Sequence, residues 1–133
     1  MKVLIVEDDS QVTSYITKIL DRWGYSSQSA PTGKEALQLF SKKDFDLILL
    51  DIMLPDYKGY DLIPKFKNIH AEVNIITMTG HNSRELEKKV RDQGIIYYMV
   101  KPVETKNLKL LLDHIKKNTI DNNLYHKNSM QYF

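Results

Sequence analysis

The sequence predicts an α/β fold: a doubly wound, five-stranded parallel sheet with helices on both faces. Two observations predict it. Five short apolar runs alternate with amphipathic stretches at helical spacing, the pattern of repeated β-α units. The residues able to do chemistry gather at the ends of those runs, as they do where parallel strands deliver side chains to one edge of a sheet.

Each element has its own signal. Val3-Leu4-Ile5-Val6 is the length of a fully buried strand. Val12, Tyr15, Ile16, Ile19, Leu20 and Trp23 then recur at three- and four-residue steps, which predicts a helix, with Ser10 placed as its cap and Gly24 as its stop. Tyr25 to Ala30 is weakly apolar and reads as an edge strand. Thr32-Gly33-Lys34-Glu35 has the form of a capping box and opens a helix bearing Ala36, Leu37 and Phe40. Asp46 to Leu50 is the third strand. A loop with Pro55 and Gly59 leads to a helix from Tyr60 to Asn68, in which Pro64 is tolerable only in the first turn. Val73 to Met78 is the fourth strand. Asn82 and Glu85 form a capping pair for a helix with a thin apolar face, Leu86 and Val90, that ends near Gly94. Ile95 to Val100 is the fifth strand, and Leu108, Leu111, Leu112 and Ile115 mark the last helix. From Thr119 the pattern gives way to an Asn-rich stretch. The expected organisation is one domain over residues 1–118 and a polar C-terminal tail or linker remnant over 119–133.

Composition narrows the function. The chain has 133 residues, 42% hydrophobic and 27% charged, which suits an ordinary soluble domain with a real core. A net charge of +2, with acids and bases interleaved, argues against a nucleic-acid partner. Cysteine is absent, so disulfides and thiolate metal sites are excluded. No apolar run has the length of a membrane span and no signal-peptide pattern opens the chain, so the expected location is the cytoplasm, with no membrane partner.

The acidic strand ends carry the chemistry. Glu7-Asp8-Asp9 follows the first strand and Asp51 follows the third. A carboxylate where a buried strand emerges costs several kcal/mol to desolvate unless something pairs it, so its presence asks for a reason other than stability. If those two strands are neighbours, the acids share one crevice, and Thr79 and Lys101, at the ends of strands four and five, face it. Such a set suits phosphoryl transfer to a carboxylate. Asp51 is the nucleophile. A magnesium ion with Asp8 and Asp51 as direct ligands, and Glu7 acting through water, offsets the repulsion between carboxylates and phosphoryl oxygens. Lys101 supplies a point charge and Thr79 a hydrogen bond.

Four segments carry a family resemblance: Leu4-Ile5-Val6-Glu7-Asp8-Asp9, Asp51-Ile52-Met53-Leu54-Pro55-Asp56-Tyr57-Lys58-Gly59, Thr77-Met78-Thr79-Gly80, and Tyr98-Met99-Val100-Lys101-Pro102. In this order they resemble the receiver domain of bacterial two-component response regulators, the fold of the chemotaxis protein family, over residues 1–118. The resemblance implies a flavodoxin-like strand order 2-1-3-4-5. It implies that Asp51 accepts a phosphoryl group from a histidine kinase or phosphotransfer protein, with magnesium held by Glu7, Asp8, Asp51 and the backbone carbonyl of Met53. It also implies a switch pair, Thr79 and Tyr98, and catalysis limited to self-phosphorylation and slow self-dephosphorylation. Lys58 and Tyr57 depart from the family pattern, where an acid and a methionine are common. Tyr97 beside Tyr98 offers a second ring, though alternation puts the two on opposite faces. Met53 and His81 stand where the family tunes dephosphorylation. The last helix lacks the arginine-rich pattern of the winged-helix subgroup. The output and the cognate kinase are not legible.

Taken singly, each feature has a plain structural reading. Glu7-Asp8-Asp9 could be a charge cluster at a helix N-terminus, Asp51 a turn aspartate, Lys101 a solvated lysine and Tyr98 a core ring. Two rival functions belong to other classes. A phosphate-independent binding module of the same fold would be expected to have lost part of the acid, threonine and lysine set. An aspartate-nucleophile phosphatase wants a second acid two residues after the nucleophile, where this chain has Met53.

Overall fold

Five short strands form one parallel sheet: β1 (Lys2–Val6), β2 (Ser26–Ala30), β3 (Leu47–Asp51), β4 (Asn74–Thr79) and β5 (Tyr97–Val100); β1, β3 and β4 are rich in β-branched and leucine residues. Their order is β2-β1-β3-β4-β5, as the resemblance implied. The computed structural model describes the backbone of residues 1–131 and the side chains of residues 1–118. The chain divides into two compact units, Met1–Pro102 and Val103–Phe133.

The first unit holds the sheet and helices α1 (Ser10–Arg22), α2 (Gly33–Lys42), α3 (Gly59–Ile69) and α4 (Arg84–Arg91). Strand alternation divides its core in two. Leu4, Val6, Ile48, Leu50, Ile75 and Tyr98 pack with Ala36, Phe40, Leu62, Ile63, Phe66 and Val90 from α2, α3 and α4. Val3, Ile5, Leu47 and Leu49 are also fully buried, on the opposite face, where α1 contributes Ile16, Ile19 and Leu20. β2 bears almost no buried apolar side chain and lies at the edge, as its composition requires.

Three local expectations are corrected. Asp9, not Ser10, caps α1: its carboxylate accepts the N–H groups of Gln11 at 2.9 Å and Val12 at 3.4 Å, leaving Ser10 as the first helical residue. Ser83, not Asn82, caps α4, accepting the Leu86 N–H at 3.1 Å. Pro64 lies beyond the first turn of α3, which starts at Gly59. Proline has no N–H to give the carbonyl four residues back, which is that of Tyr60. That carbonyl instead accepts the side-chain amide of Gln93, just past α4, at 2.7 Å. A helix defect in α3 thus becomes a tether for the next helix.

The second unit is helix α5 (Thr105–Gln131), in which Leu108, Leu111, Leu112 and Ile115 recur at helical spacing. Its helical backbone continues past residue 118, where that apolar spacing ends. The side chains of the expected tail over 119–133 lie outside the described residues.

Candidate functional site

Sheet register assembles the site. Val6 pairs with Leu50, so Glu7 leaves β1 level with Asp51 at the end of β3. Thr79 pairs with Val100, and the Lys101 N–H continues the ladder to the Thr79 carbonyl at 2.8 Å, so Lys101 leaves β5 at the same edge. Parallel strands that end in register deliver their next residues to one rim.

There the Lys101 ammonium spans the two buried acids. Its Nζ lies 2.5 Å from Glu7 Oε1 and 3.3 Å from Asp51 Oδ2. Glu7 and Asp51 are 2% and 5% exposed, whereas Asp8 is exposed. One oxygen from each of Glu7, Asp8 and Asp51 lies within 4.8 Å of the others. Asp51 Oδ1 accepts the Met53 N–H at 3.1 Å, which orients its carboxylate. The peptide bond between Lys101 and Pro102 is cis.

The electrostatics show what this cluster lacks. Burial is the main cause that pushes the Glu7 carboxyl up to about 8; the neighbouring Asp51 adds to it and Lys101 opposes it. Burial alone would lower the Lys101 ammonium, but Glu7 and Asp51 together raise it above its ordinary value and keep it charged. Two buried carboxyl groups therefore share one cation, and the second oxygen of Glu7, Oε2, is buried with no hydrogen-bond partner among the described residues. An orphaned carboxylate oxygen beside two more acids is a donor set that can hold a hard divalent cation, which would take the place of the retained proton.

The β3–α3 loop is tightly folded. Gly59 N–H donates to Ile52 O at 2.6 Å, Leu54 N–H donates to Tyr57 O at 3.2 Å, and Met53 bridges Lys58 in antiparallel fashion. A side chain at Gly59 would put its Cβ 2.8 Å from the Ile52 Cα, so only glycine lets the strands of this loop approach so closely.

On the other flank, Thr79 is fully buried and its hydroxyl is engaged away from the acids. It donates to the His81 carbonyl and accepts the His81 N–H, both at 2.9 Å. The Tyr98 ring is turned inward and 5% exposed, while Tyr97 on the opposite face is 38% exposed, as alternation requires. The Tyr98 hydroxyl donates to Asn82 Oδ1 at 3.4 Å, and the Arg91 guanidinium sits 5.8 Å from the ring centre. Burial, reinforced by Glu87 and opposed by Arg91, holds the phenol above its usual range, so it remains a donor. Glu7, Asp8, Asp51, Met53 and Lys101 are thus brought together. Thr79 and Tyr98 flank them without a hydrogen bond to the acids.

Sequence reasoning missed two participants. Asn82 was read as a helix cap and serves as the Tyr98 acceptor instead. Asp56 was noted only within its motif, yet it reaches α2, as developed below.

The comparisons with known proteins agree with this geometry. A family model, the response regulator receiver domain, matches residues 3–113. The transcriptional regulatory protein CusR of Escherichia coli is 36% identical over 102 residues, covering 77% of this chain and 45% of that protein. The sporulation initiation phosphotransferase F of Bacillus subtilis is 26% identical over 116 residues, covering 87% of this chain and 91% of that protein. Among solved structures, a CheY-like response regulator receiver domain protein from Methanospirillum hungatei superimposes with a TM-score of 0.80 at 32% identity, covering 88% of this chain and 97% of that one. A two-component response regulator from Clostridium difficile gives 0.85 at 26% identity, covering 90% and 98%. The chain belongs to the response regulator receiver domain family, the phosphorylation-controlled switches of two-component signalling. It spans less than half the length of CusR. Among the described residues, no helix is long and apolar enough to cross a membrane.

Proposed function

We propose that the chain takes a phosphoryl group onto Asp51 from the phosphohistidine of a kinase or phosphotransfer protein, and that residues 1–118 form the module that does so. The observation that carries this reading is the Lys101 ammonium held between the buried Glu7 and Asp51 carboxylates, with Asp8 completing the acid trio. In the transfer, an Asp51 oxygen bonds to phosphorus as the P–N bond of the donor breaks and its electron pair returns to the imidazole nitrogen. Glu7, Asp8, Asp51 and the Met53 carbonyl would hold magnesium, which when bound supplies positive charge between the acids and the phosphoryl oxygens. Lys101 supplies a further fixed positive charge, already placed 3.3 Å from Asp51. The Met53 N–H keeps the Asp51 carboxylate in one rotamer.

Thr79 and Tyr98 form the readout in this proposal. To donate to a phosphoryl oxygen, the Thr79 hydroxyl must withdraw its proton from the His81 carbonyl, a bond with a net value of about 1 kcal/mol. A charged acceptor offsets that loss, because hydrogen bonds to ions are roughly twice as strong. His81 and Asn82, released or shifted with Thr79, lead directly into the cap of α4 and the hydroxyl of Tyr98. Because a histidine kinase draws its phosphoryl groups from nucleotide in the cytoplasm, the reading places the chain there, with an output partner still to be named.

The test is incubation with acetyl phosphate and magnesium, followed by mass spectrometry. The expected result is an acid-stable, base-labile gain of one phosphoryl group, lost in Asp51→Asn and on chelation of magnesium. Steady turnover of a phosphomonoester, or no adduct at all, would overturn the reading in favour of a phosphatase or a bare binding module.

A further inference from the structure

The β3–α3 loop is fastened to the first turn of α2 by Asp56. One carboxylate oxygen, Oδ1, accepts the Gly33 N–H at 2.9 Å, and the other, Oδ2, accepts the Lys34 N–H at 3.0 Å. The partners are 23 and 22 residues apart, so this is a long-range clasp, whereas Thr32 performs the local capping by accepting the Glu35 N–H at 3.2 Å. Gly33 makes the clasp possible: a Cβ there would lie 2.5 Å from Tyr57 Cδ2 and 3.3 Å from Asp56 Oδ1. The Tyr57 ring therefore lies against bare backbone. Desolvation would raise the Asp56 carboxyl, but the backbone N–H groups of Gly33 and Lys34, with its own and that of Tyr57, outweigh it and hold the carboxyl below its usual range.

Loop closure carries the clasp to the acid cluster. Asp56 is the tip of a segment whose two sides are joined by Gly59 to Ile52, Leu54 to Tyr57, and the Met53–Lys58 bridge. Met53 sits in that ladder, and its N–H in turn holds Asp51. Fixing the tip against α2 fixes the height of Met53 beside Asp51.

We propose that Asp56 is a positioning residue for the phosphoacceptor site, holding Met53 where its N–H orients Asp51 and its carbonyl can serve a cation. The magnesium part of this inference rests on the function proposed above; the loop-ordering part does not. Thr32→Ala is the natural control, because it weakens the same helix end without touching the loop.

The experiment compares wild type, Asp56→Ala, Asp56→Asn and Thr32→Ala by amide hydrogen exchange at Met53, Leu54 and Gly59 and by calorimetric titration with magnesium chloride. Asp56→Ala is expected to speed exchange at the loop amides at least tenfold and to weaken magnesium binding several-fold, while the adduct formed with acetyl phosphate at saturating magnesium recovers. Asp56→Asn, which keeps oxygen for one of the two bonds, is expected to fall between. Thr32→Ala is expected to speed exchange in α2 alone. Loop exchange in Asp56→Ala equal to wild type, or loop exchange raised equally by Thr32→Ala, would overturn the proposal and leave Asp56 as a helix cap. Should wild type take up no magnesium, the phosphoacceptor reading falls, and the exchange result still decides whether Asp56 orders the loop.

Discussion

The two flanks of Asp51 are built differently. On the β3–α3 side, the loop is closed by backbone hydrogen bonds as short as 2.6 Å, pressed against Gly59 where no side chain fits, and clasped to α2. On the β4–α4 side, α4 buries only Val90 fully and is held to α3 by polar contacts: Gln93 on the Tyr60 carbonyl, Lys67 on the Gly94 carbonyl at 2.8 Å, and the Lys89 ammonium 3.8 Å from the Tyr60 ring centre. The β3–α3 loop also buries Ile52 and Leu54, and such apolar packing is dense and all-or-none, whereas single polar contacts are individually worth about 1 kcal/mol and can be exchanged. The difference separates two duties. The stiff flank keeps the acceptor carboxylate in place, and the loose flank can move when the hydroxyl of Thr79 changes partner.

The largest effect should come from the charge that joins the flanks. Lys101→Met removes the counter-charge from the buried Glu7–Asp51 pair, and breaking such an ion pair costs about 3 kcal/mol even where one partner is partly exposed. Urea unfolding at pH 8 in chelator measures it. A loss below 1 kcal/mol would show that the stiff flank is stiff through its backbone alone.

The pH dependence sharpens the same point. The folded protein holds the Glu7 proton more tightly than the unfolded chain does, up to about 8 against a usual 4.5. Stability from this group is therefore complete below about pH 4.5 and is lost as pH rises toward about 8. Glu7→Gln, which cannot ionise, should gain on wild type across that window in chelator. Magnesium should close the gap by stabilising wild type alone. Parallel curves for the two proteins would refute a cation-seeking cluster.

The strand ends were legible in the sequence on both flanks, and the long-range hydrogen bonds that fasten each flank were not. Buried parallel strands announce themselves by continuous apolar runs, and Glu7, Asp51, Thr79 and Lys101 could be placed because each directly follows such a run or ends it. The caps were less readable: Asp9, Ser10, Asn82 and Ser83 are all good cap residues, and only the backbone angle at the turn decides among adjacent candidates. Asp56 looked like any loop aspartate, because its partners lie 22 and 23 residues away. Pro64 was readable as a problem for α3. Its solution was not, since the amide that takes up the Tyr60 carbonyl comes from a residue 33 positions further on.

That last contact can be broken cleanly. Gln93→Leu removes the donor to the Tyr60 carbonyl, and a lost bond of this kind costs about 1 kcal/mol. The Gln93 Oε1 atom is itself buried without a partner among the described residues, which holds the cost at that modest level. Pro64→Ala restores an N–H inside α3 for the same carbonyl. In that background Gln93→Leu should cost almost nothing, so a double-mutant cycle by urea unfolding should return a coupling of about 1 kcal/mol. Additive behaviour would mean that α4 is held by something other than this tether. Faster exchange of the α4 amides in Gln93→Leu, with the β3–α3 loop unchanged, would show that the two flanks are independently stable.

The smallest effect concerns Thr77, which lies beneath the loose flank, paired across the sheet with Leu50 and Tyr98. Its hydroxyl is fully buried and has no hydrogen-bond partner among the described residues. A buried hydroxyl left unmatched costs about 1 kcal/mol or more relative to a methyl of the same shape. Thr77→Val should therefore raise stability by about 1 kcal/mol without altering the acid cluster, measured by the urea midpoint at unchanged slope. If the loose flank is loose only because its polar groups are poorly matched, the same substitution should also slow α4 exchange. If instead the thin apolar face of α4 sets its mobility, Thr77→Val will stabilise the sheet and leave α4 exchange where it was. The second outcome is the expected one, because Thr77 is a strand residue, and α4 offers only Leu86 and Val90 to pack on the sheet however well that sheet is satisfied.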